Sequence, residues 1–310
     1  MTRVGLACQG GGSQNAFTAG ALPAMLRDPD VEPVALTGTS GGAICALLGW
    51  YGLHTGGPER AAELLAGFWR ENTAAAPLAA LANAAGLAVA RTQEQLGIQV
   101  GVSPYLFPET ARTQLGALIA RWVDLDRLPE LQAQPGPVLQ VGAVEVLTGA
   151  FRRFDSRRGE ITLDAILASA AIPTVFRAVH TAGGAYWDGV FSENPPVRDL
   201  PELGAEEIWI VQIYPRTTDR EPRTPGQIAD RRAELTSNLS LEQELDAIEK
   251  INEFVAAGYL DGTRYRHVDV ARIELERRLD TVAALDRSRA FLTGLVTDGE
   301  EAARAFLASR

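Results

Sequence analysis

The N-terminal part of the chain contains two strand-like runs, each followed by a cluster of glycines and then by a helical pattern. The first run, residues 4–8, precedes three consecutive glycines at positions 10–12, and the second, residues 34–36, precedes a glycine-rich turn at 38–42. Two such units in succession predict neighbouring parallel strands, with both turns at the carboxyl-end edge of one sheet. Because open α/β sheets bind ligands at that edge, this segment predicts both an α/β fold and the position of its site.

The second turn reads Gly38-Thr39-Ser40-Gly41-Gly42, a Gly-x-Ser-x-Gly sequence between a strand and a helix. A serine on such a sharp turn is held with its hydroxyl exposed, and the flanking glycines leave room for the turn and for a substrate. The helix behind it offers free backbone N–H groups and a positive dipole end to a developing oxyanion. The alternative interpretation is an ordinary Gly/Ser-rich connection.

The first turn, Gly10-Gly11-Gly12, could present consecutive backbone N–H groups to the same oxyanion. A dinucleotide-binding fingerprint is excluded because Asn15 stands where Gly-x-Gly-x-x-Gly requires its last glycine. A phosphate-binding P-loop is excluded because Lys250 is the only lysine in the chain. A tight turn without a chemical role is the remaining alternative.

Three motifs occur in a fixed order: Gly-Gly-Gly within residues 8–14, Gly-x-Ser-x-Gly at 38–42 and Asp-Gly within 187–190. A further run, residues 168–176, reads Ala-Ser-x-Ala-x-Pro-x-x-Phe. This ordered set resembles the patatin-like phospholipases over residues 3–215. The resemblance implies a three-layer α/β fold, with a mainly parallel central sheet and helices on both faces.

The resemblance also implies a Ser–Asp dyad as the catalytic machinery. Ser40 would attack an ester carbonyl and form an acyl-enzyme, and Asp188 would accept its proton and later activate water. The substrate would be a lipid ester (a phospholipid, lysophospholipid or neutral glyceride) at a membrane or micelle surface, and neither a cofactor nor a metal is expected. Backbone N–H groups would form the oxyanion hole, contributed by Gly10, Gly11, Gly12 and Gly41.

Two positions depart from the family pattern. The family usually has Arg or Lys where this chain has Gln14, and Gly or Ala where Val190 follows the Asp-Gly pair. The first change removes a cation from the oxyanion region, and the second narrows the space beside the aspartate. These changes motivate an alternative function, a non-catalytic lipid- or protein-binding module on the same fold, which the intact Ser40 and Asp188 oppose.

The neighbours of Asp188 bear on its suitability as a base. It stands between Tyr186-Trp187 and Gly189-Val190, a setting in which partial desolvation would raise the basicity of the carboxylate. Asp-Gly is also a hairpin signal, so a turn aspartate is the alternative interpretation.

A Ser-His-acid triad is the rival mechanism, and the residue order of α/β-hydrolases would nominate His267 as its base. His267 lies in a strand-like stretch. Residues 1–35 leave room for only one strand and one helix before the serine turn, which is too little for that fold. The sequence therefore favours Asp188.

The chain has 310 residues, of which 46% are hydrophobic, and is long enough to bury a substantial core. A single domain is expected over residues 1–310, with a motif-bearing core at about 3–215 and a C-terminal elaboration at about 226–310. Cys8 and Cys45 are expected to be small buried hydrophobes. The net charge of −10 argues against nucleic-acid binding. No signal peptide is visible before the first strand, so a cytoplasmic protein, peripheral to membranes at most, is expected.

The segment 74–90 is apolar, rich in alanine, and too short and interrupted to span a bilayer. It is expected to form a buried or loosely packed helix. The alternative is that, with the aromatic stretch 102–108, it forms a mobile lid or an acyl-binding wall. The later patterns predict a polar crossover at 216–230, a helix at 239–257 and a helix at 288–307 with a break at Asp298-Gly299.

Overall fold

The computed structural model describes residues 1–97, 103–106, 109–262 and 264–310, and the described residues contain one mixed sheet. Its strands, numbered in chain order, are Thr2–Cys8 (β1), Val31–Gly38 (β2), Val138–Glu145 (β3), Phe151–Asp155 (β4), Val179–Thr181 (β5), Gly184–Asp188 (β6), Glu207–Gln212 (β7) and Asp269–Glu274 (β8). The strands β8, β7, β1, β2 and β3 lie side by side, and all their pairings are parallel. The remaining three strands are antiparallel additions on the β3 side.

Helices cover both faces of this sheet. They are Ala16–Arg27 (α1), Gly41–Glu71 (α2), Pro77–Leu96 (α3), Thr110–Trp122 (α4), Leu128–Gln132 (α5), Leu163–Ser169 (α6), Pro225–Ala256 (α7) and Arg289–Ala308 (α8). The long helix α2 is kinked where Gly56 and Gly57 leave helical geometry. Among the described helices, none is long and apolar enough to cross a bilayer.

Successive side chains of the central strands point to opposite faces of the sheet, and the core is therefore divided into two layers. Val4, Leu6 and Cys8 of β1 pack in one cluster with α1, α2, α6 and α8, whereas Ala7 packs on the other face with β7 and α7. This is the period of two expected of strands that are buried on both faces. The three-layer fold predicted from the sequence is therefore confirmed, and both cysteines are free and buried as expected.

The strand β3 brings two distant parts of the chain together. Its residues 140–144 pair with β4 along one edge. The strand β2, paired with residues 138–141, and the strand β6, paired with 143–145, must therefore share the opposite edge. Because β2 is parallel to β3 and β6 is antiparallel, their carboxyl ends, Gly38 and Asp188, face each other across Gly142.

Both helices predicted in the C-terminal part form, but the predicted start of the first and the predicted break in the second are wrong. Helix α7 begins at Pro225, within the predicted crossover, because Thr224 and Gln227 form a reciprocal capping box at its start. Helix α8 continues without a break through Gly299, where an added Cβ would lie only 2.0 Å from the carbonyl oxygen of Phe17. This glycine therefore serves close packing of α8 on α1 and does not end the helix.

The alanine-rich segment does form a helix, α3, and of the two expectations the loosely packed helix, not the buried one, is confirmed. Within the helix Leu87 is the only buried residue. The segment also does not supply a wall of the cavity that contains Ser40, because none of the described residues of α3 lines it. In the aromatic stretch, the structure describes 103–106, and Val102, Phe107 and Pro108 lie outside the described residues.

Candidate active site

Ser40 lies at the turn between β2 and α2 with φ of 56° and ψ of −127°. Residues other than glycine rarely adopt this backbone conformation. Contacts on both sides hold this strained turn. The Ser40 N–H donates to Ser169 Oγ at 3.0 Å, and Thr39 Oγ1 donates to the Glu193 carbonyl at 2.6 Å. Ser40 is 5% exposed, and its side chain lines a cavity.

The two glycine turns pack directly against each other. A Cβ on Gly42 would lie 2.2 Å from the carbonyl oxygen of Cys8, and one on Gly10 would lie 2.8 Å from the carbonyl oxygen of Thr39, next to Ser40. Neither close approach is possible for a residue with a side chain, which is the physical reason for glycine at these positions. The prediction that both turns meet at one edge of the sheet is confirmed.

Asp188 ends β6 and is fully buried. Its Oδ1 accepts a hydrogen bond from the Val190 N–H at 2.9 Å, while Oδ2 has no hydrogen-bond partner of normal geometry among the described residues. Burial raises the pKa of Asp188 to about 7, and the Val190 N–H and the Ser40 hydroxyl oppose that rise. The carboxylate is therefore a stronger base than an ordinary aspartate, and it is close enough to Ser40 for the serine hydroxyl to affect its pKa.

Three of the four predicted oxyanion glycines have available donors. The N–H groups of Gly11, Gly12 and Gly41 have no hydrogen-bond acceptor among the described residues. The Gly10 N–H differs, because it donates to Asn194 Oδ1 at 2.7 Å. Gly10 lines the cavity but its donor is occupied, so in this arrangement it positions the turn.

Ser40 and Asp188 share a cavity of about 360 Å³. Besides these two residues and the first glycine turn, its wall contains Ile172, Val190, Phe191, Tyr214, Ala229, Arg232, Ala233, Thr236, Ser237 and Ala284. Arg232 is the only cation among them, and it forms no ion pair within the described part of the chain. A larger cavity of about 750 Å³, lined mostly by charged residues between positions 218 and 280, contains neither Ser40 nor Asp188.

Sequence reasoning missed the buried side-chain amide of Gln9, which links the edge of the sheet to α7 through hydrogen bonds. Its Nε2 donates to Asn238 Oδ1 at 2.8 Å, and its Oε1 accepts from the N–H groups of Ile213 and Tyr214 at 2.8 and 2.9 Å. A glutamine at the end of an apolar strand, directly before a glycine cluster, was the available signal.

Asn194, in the loop after Asp188, has a similar bridging position. Besides accepting from Gly10, it donates through Nδ2 to the Ser237 carbonyl at 3.2 Å, and its own N–H donates to Ser240 Oγ at 3.2 Å. The side chain thus connects the first glycine turn to α7.

The other residues singled out from the sequence lie in different surroundings. Gln14 is buried, and its Nε2 donates to the Asp280 carbonyl at 3.4 Å, so it does not line the cavity. Val190 does line the cavity. His267 is exposed and contacts Asp269 Oδ1 at 3.1 Å, and it is not part of the cavity wall. Within the described ranges, no group of three or more His, Cys, Asp and Glu residues could hold a metal ion.

Comparison with known proteins gives one family match. The sequence profile described as patatin-like phospholipase matches residues 6–201. No curated protein sequence matches the chain. Among solved structures, the chain is similar to the crystal structure of VipD from Legionella pneumophila, with a TM-score of 0.47 and 12% sequence identity. The similarity covers 98% of this chain and 66% of that chain, so this chain spans about two thirds of the length of VipD in that structure.

Proposed function

Because the chain belongs to the patatin-like phospholipase family, we propose that it is a serine hydrolase of lipid carboxylic esters that works through a Ser40–Asp188 dyad. Membership of the family supports lipid acyl hydrolysis in general. The observation that carries the specific proposal is the cavity that brings together a strained serine, a buried carboxylate, and Gly11 and Gly12, whose N–H groups have no acceptor among the described residues.

In the first half-reaction, Asp188 would accept the proton of the Ser40 hydroxyl while Ser40 Oγ attacks the carbonyl carbon of the ester. The tetrahedral oxyanion would receive hydrogen bonds from the N–H groups of Gly11, Gly12 and Gly41. The positive end of the α2 dipole would stabilise the same negative charge. Collapse of this intermediate breaks the ester bond. The leaving alcohol takes the proton from Asp188, and the acyl group remains on Ser40.

In the second half-reaction, Asp188 would take a proton from a water molecule that attacks the acyl carbon. The same N–H groups would hold the second oxyanion, and its collapse returns the proton to Ser40 and releases the fatty acid. A base whose pKa is about 7 suits both directions of this transfer at neutral pH.

The wall of the cavity bears on the class of substrate. Ile172, Val190, Phe191 and Ala233 supply apolar contacts suited to an acyl chain. Arg232 places a cation at the same cavity, and it has no ion-pair partner among the described residues. A guanidinium binds phosphate oxygens strongly, so this residue supports a lipid that carries a phosphate over a neutral glyceride.

We also propose that the C-terminal part belongs to the same functional unit as the motif-bearing core. Helix α7 and Ala284, both C-terminal to residue 215, line the cavity beside Ser40.

The test is hydrolysis of short- and long-chain p-nitrophenyl esters by the wild type and by Ser40→Ala, Asp188→Asn and His267→Ala. We expect the first two variants to be inactive although folded, and His267→Ala to retain full activity, because His267 does not line the cavity. Activity that survives Asp188→Asn but not His267→Ala would instead support a histidine triad. A wild type inactive on every ester would favour the binding-module alternative.

A further inference from the structure

Helix α3 presents an apolar side to solvent. Four large aliphatic side chains project from it, namely Leu78, Leu81, Val89 and Leu96, and their exposed fractions are 79%, 67%, 57% and 64%. At 3.6 residues per turn these positions fall within about 80° of the helix circumference. We refer to these four residues as the α3 stripe.

The opposite side of the helix attaches it to the rest of the protein. Leu87 is buried there. Asn83 Nδ2 donates to the Leu285 carbonyl at 2.9 Å, and Arg91 pairs with Asp280 at 2.8 Å. Since these contacts lie on the side away from the stripe, the α3 stripe is not needed to hold the helix in place.

The segment that holds α3 also borders the proposed active site. Leu285 and Asp280 belong to the turn that contains Ala284, and Ala284 lines the cavity with Ser40. The carbonyl oxygen of Ala284 lies so near Gly12 that a Cβ there would approach it to 2.5 Å. Helix α3 is thus fixed on the outside of a segment that forms part of the cavity wall.

The outer face of α3 carries no charge. No residue between Glu71 and Arg91 is charged, and the two charged residues of the helix, Arg91 and Glu94, contact Asp280 and Thr281 on its inner side. Protein-binding surfaces are enriched in Tyr, Trp and Arg and carry hydrogen-bonding groups, none of which the α3 stripe offers. Lipid hydrocarbon requires none of them.

We propose that α3 is an interfacial helix that inserts the α3 stripe into a neutral, zwitterionic lipid surface, next to the segment that forms part of the wall of the proposed catalytic cavity. The net charge of −10 gives the protein no general attraction to anionic lipids, so burial of aliphatic side chains supplies the binding. The role of this contact in delivering substrate rests on the proposed function, whereas the contact itself requires no catalysis.

The experiment measures co-sedimentation with phosphatidylcholine vesicles in the Ser40→Ala background, so that the lipid is not consumed. Leu81→Glu with Val89→Glu places two charges on the α3 stripe. Leu147→Glu is the matched control, because Leu147 is 85% exposed in the turn between β3 and β4. Circular dichroism of each variant checks that the protein remains folded.

We expect the parent and Leu147→Glu to bind equally, and the double variant to lose about tenfold or more in partition coefficient. Added phosphatidylserine should not strengthen binding, and salt should not weaken it. The proposal is overturned if the parent does not bind, if the double variant binds as well as the parent, or if binding requires anionic lipid. It is likewise overturned if sedimentation shows that the α3 stripe is buried in a dimer that the double variant dissociates while vesicle binding is unchanged.

Activity assays separate this proposal from the proposed function. With Ser40 present, the double variant should hydrolyse a soluble, monomeric p-nitrophenyl ester at the wild-type rate and lose activity on vesicles. An enzyme inactive on all esters whose α3 stripe still determines vesicle binding would contradict the proposed function alone.

Discussion

The side chain of Asn194 accepts a hydrogen bond of 2.7 Å from the backbone N–H of Gly10. This contact links the loop after Asp188 to the first glycine turn, so the proposed base and the proposed oxyanion donors are positioned by one another. Asn194 also donates to the Ser237 carbonyl of α7, which completes the connection.

Removal of this side chain should therefore impair catalysis. We expect Asn194→Ala to lower kcat about tenfold or more, since a misplaced oxyanion donor costs transition-state stabilisation. Asn252→Ala is the control, because Asn252 makes two comparable hydrogen bonds to Val268, at 2.9 and 3.0 Å. Steady-state kinetics on a soluble ester measures the effect. Equal losses in both variants would mean that Asn194 acts only through stability.

The pH dependence of hydrolysis should report the buried carboxylate. Burial raises the pKa of Asp188 to about 7, and the group must be ionised to accept the proton of Ser40. We therefore expect kcat/KM on an uncharged ester to rise with pH and to level off above an apparent pKa near 7. A rate that is already at its plateau at pH 5 would contradict this account of the base.

The same pKa shift predicts a dependence of stability on pH. An unfolded aspartate titrates near pH 3.9, so between about pH 4 and pH 7 the folded protein retains a proton that the unfolded chain has lost. The contribution of Asp188 to the free energy of unfolding therefore falls as pH rises through that window. Asp188→Asn removes this contribution and should raise Tm relative to the wild type by at least about 2 °C more at pH 8 than at pH 4.5.

Ser40→Ala serves as the control for that measurement, because it removes a hydroxyl and no titrating group. Its difference in Tm from the wild type should be much less dependent on pH. If the difference for Asp188→Asn were also constant across the range, the raised pKa would be wrong.

The junction between β2 and β6 depends on Gly142. A Cβ at this position would lie 2.9 Å from both Thr39 Oγ1 and the Glu193 carbonyl, so Gly142→Ala must separate the two strand ends. We expect a loss of about 1–3 kcal/mol in the free energy of unfolding, together with a loss of esterase activity.

Gly86→Ala is the matched variant for that test, since nothing lies within 4 Å of a Cβ at that helical position. It should leave activity intact and stabilise the protein slightly. Urea unfolding of the two variants compares them directly. Full activity and stability in Gly142→Ala would contradict the close approach of the strand ends.

Arg232 should affect phospholipid substrates selectively. We expect Arg232→Ala to raise KM for a phospholipid about tenfold through loss of a charged hydrogen bond to phosphate, with little change for a p-nitrophenyl ester. Arg223→Ala is the control, because Arg223 lines the larger cavity instead. An equal effect of Arg232→Ala on both substrates would remove the argument for a phosphate-bearing lipid.

Local sequence patterns predicted the edge of the sheet that holds the site. The two glycine turns were informative because each requires a close backbone approach that only glycine permits, as Gly42 against the carbonyl of Cys8 shows. The family resemblance added Asp188, which lies almost 150 positions from Ser40 and reaches it through pairing on β3. Such pairing follows from the register of three strands and leaves no local signal.

The features that sequence analysis missed also depend on tertiary contacts. Gly299 looked like the end of a helix, although it is buried against α1. Asn194 and Gln9 looked like a loop residue and an isolated polar residue, and their roles appear only when β1, β7 and α7 are brought together. The exposed side of α3 could not be distinguished from a core helix, because composition does not tell which surface a helix buries.

Labelling with a fluorophosphonate tests the central claim most directly. Intact-mass spectrometry and peptide mapping of the wild type should show one adduct, on Ser40, formed faster as pH rises through about 7. Ser40→Ala should remain unlabelled, and Asp188→Asn should be labelled far more slowly at every pH. An adduct at another residue, or labelling of Asp188→Asn at the wild-type rate, would contradict the Ser40–Asp188 dyad.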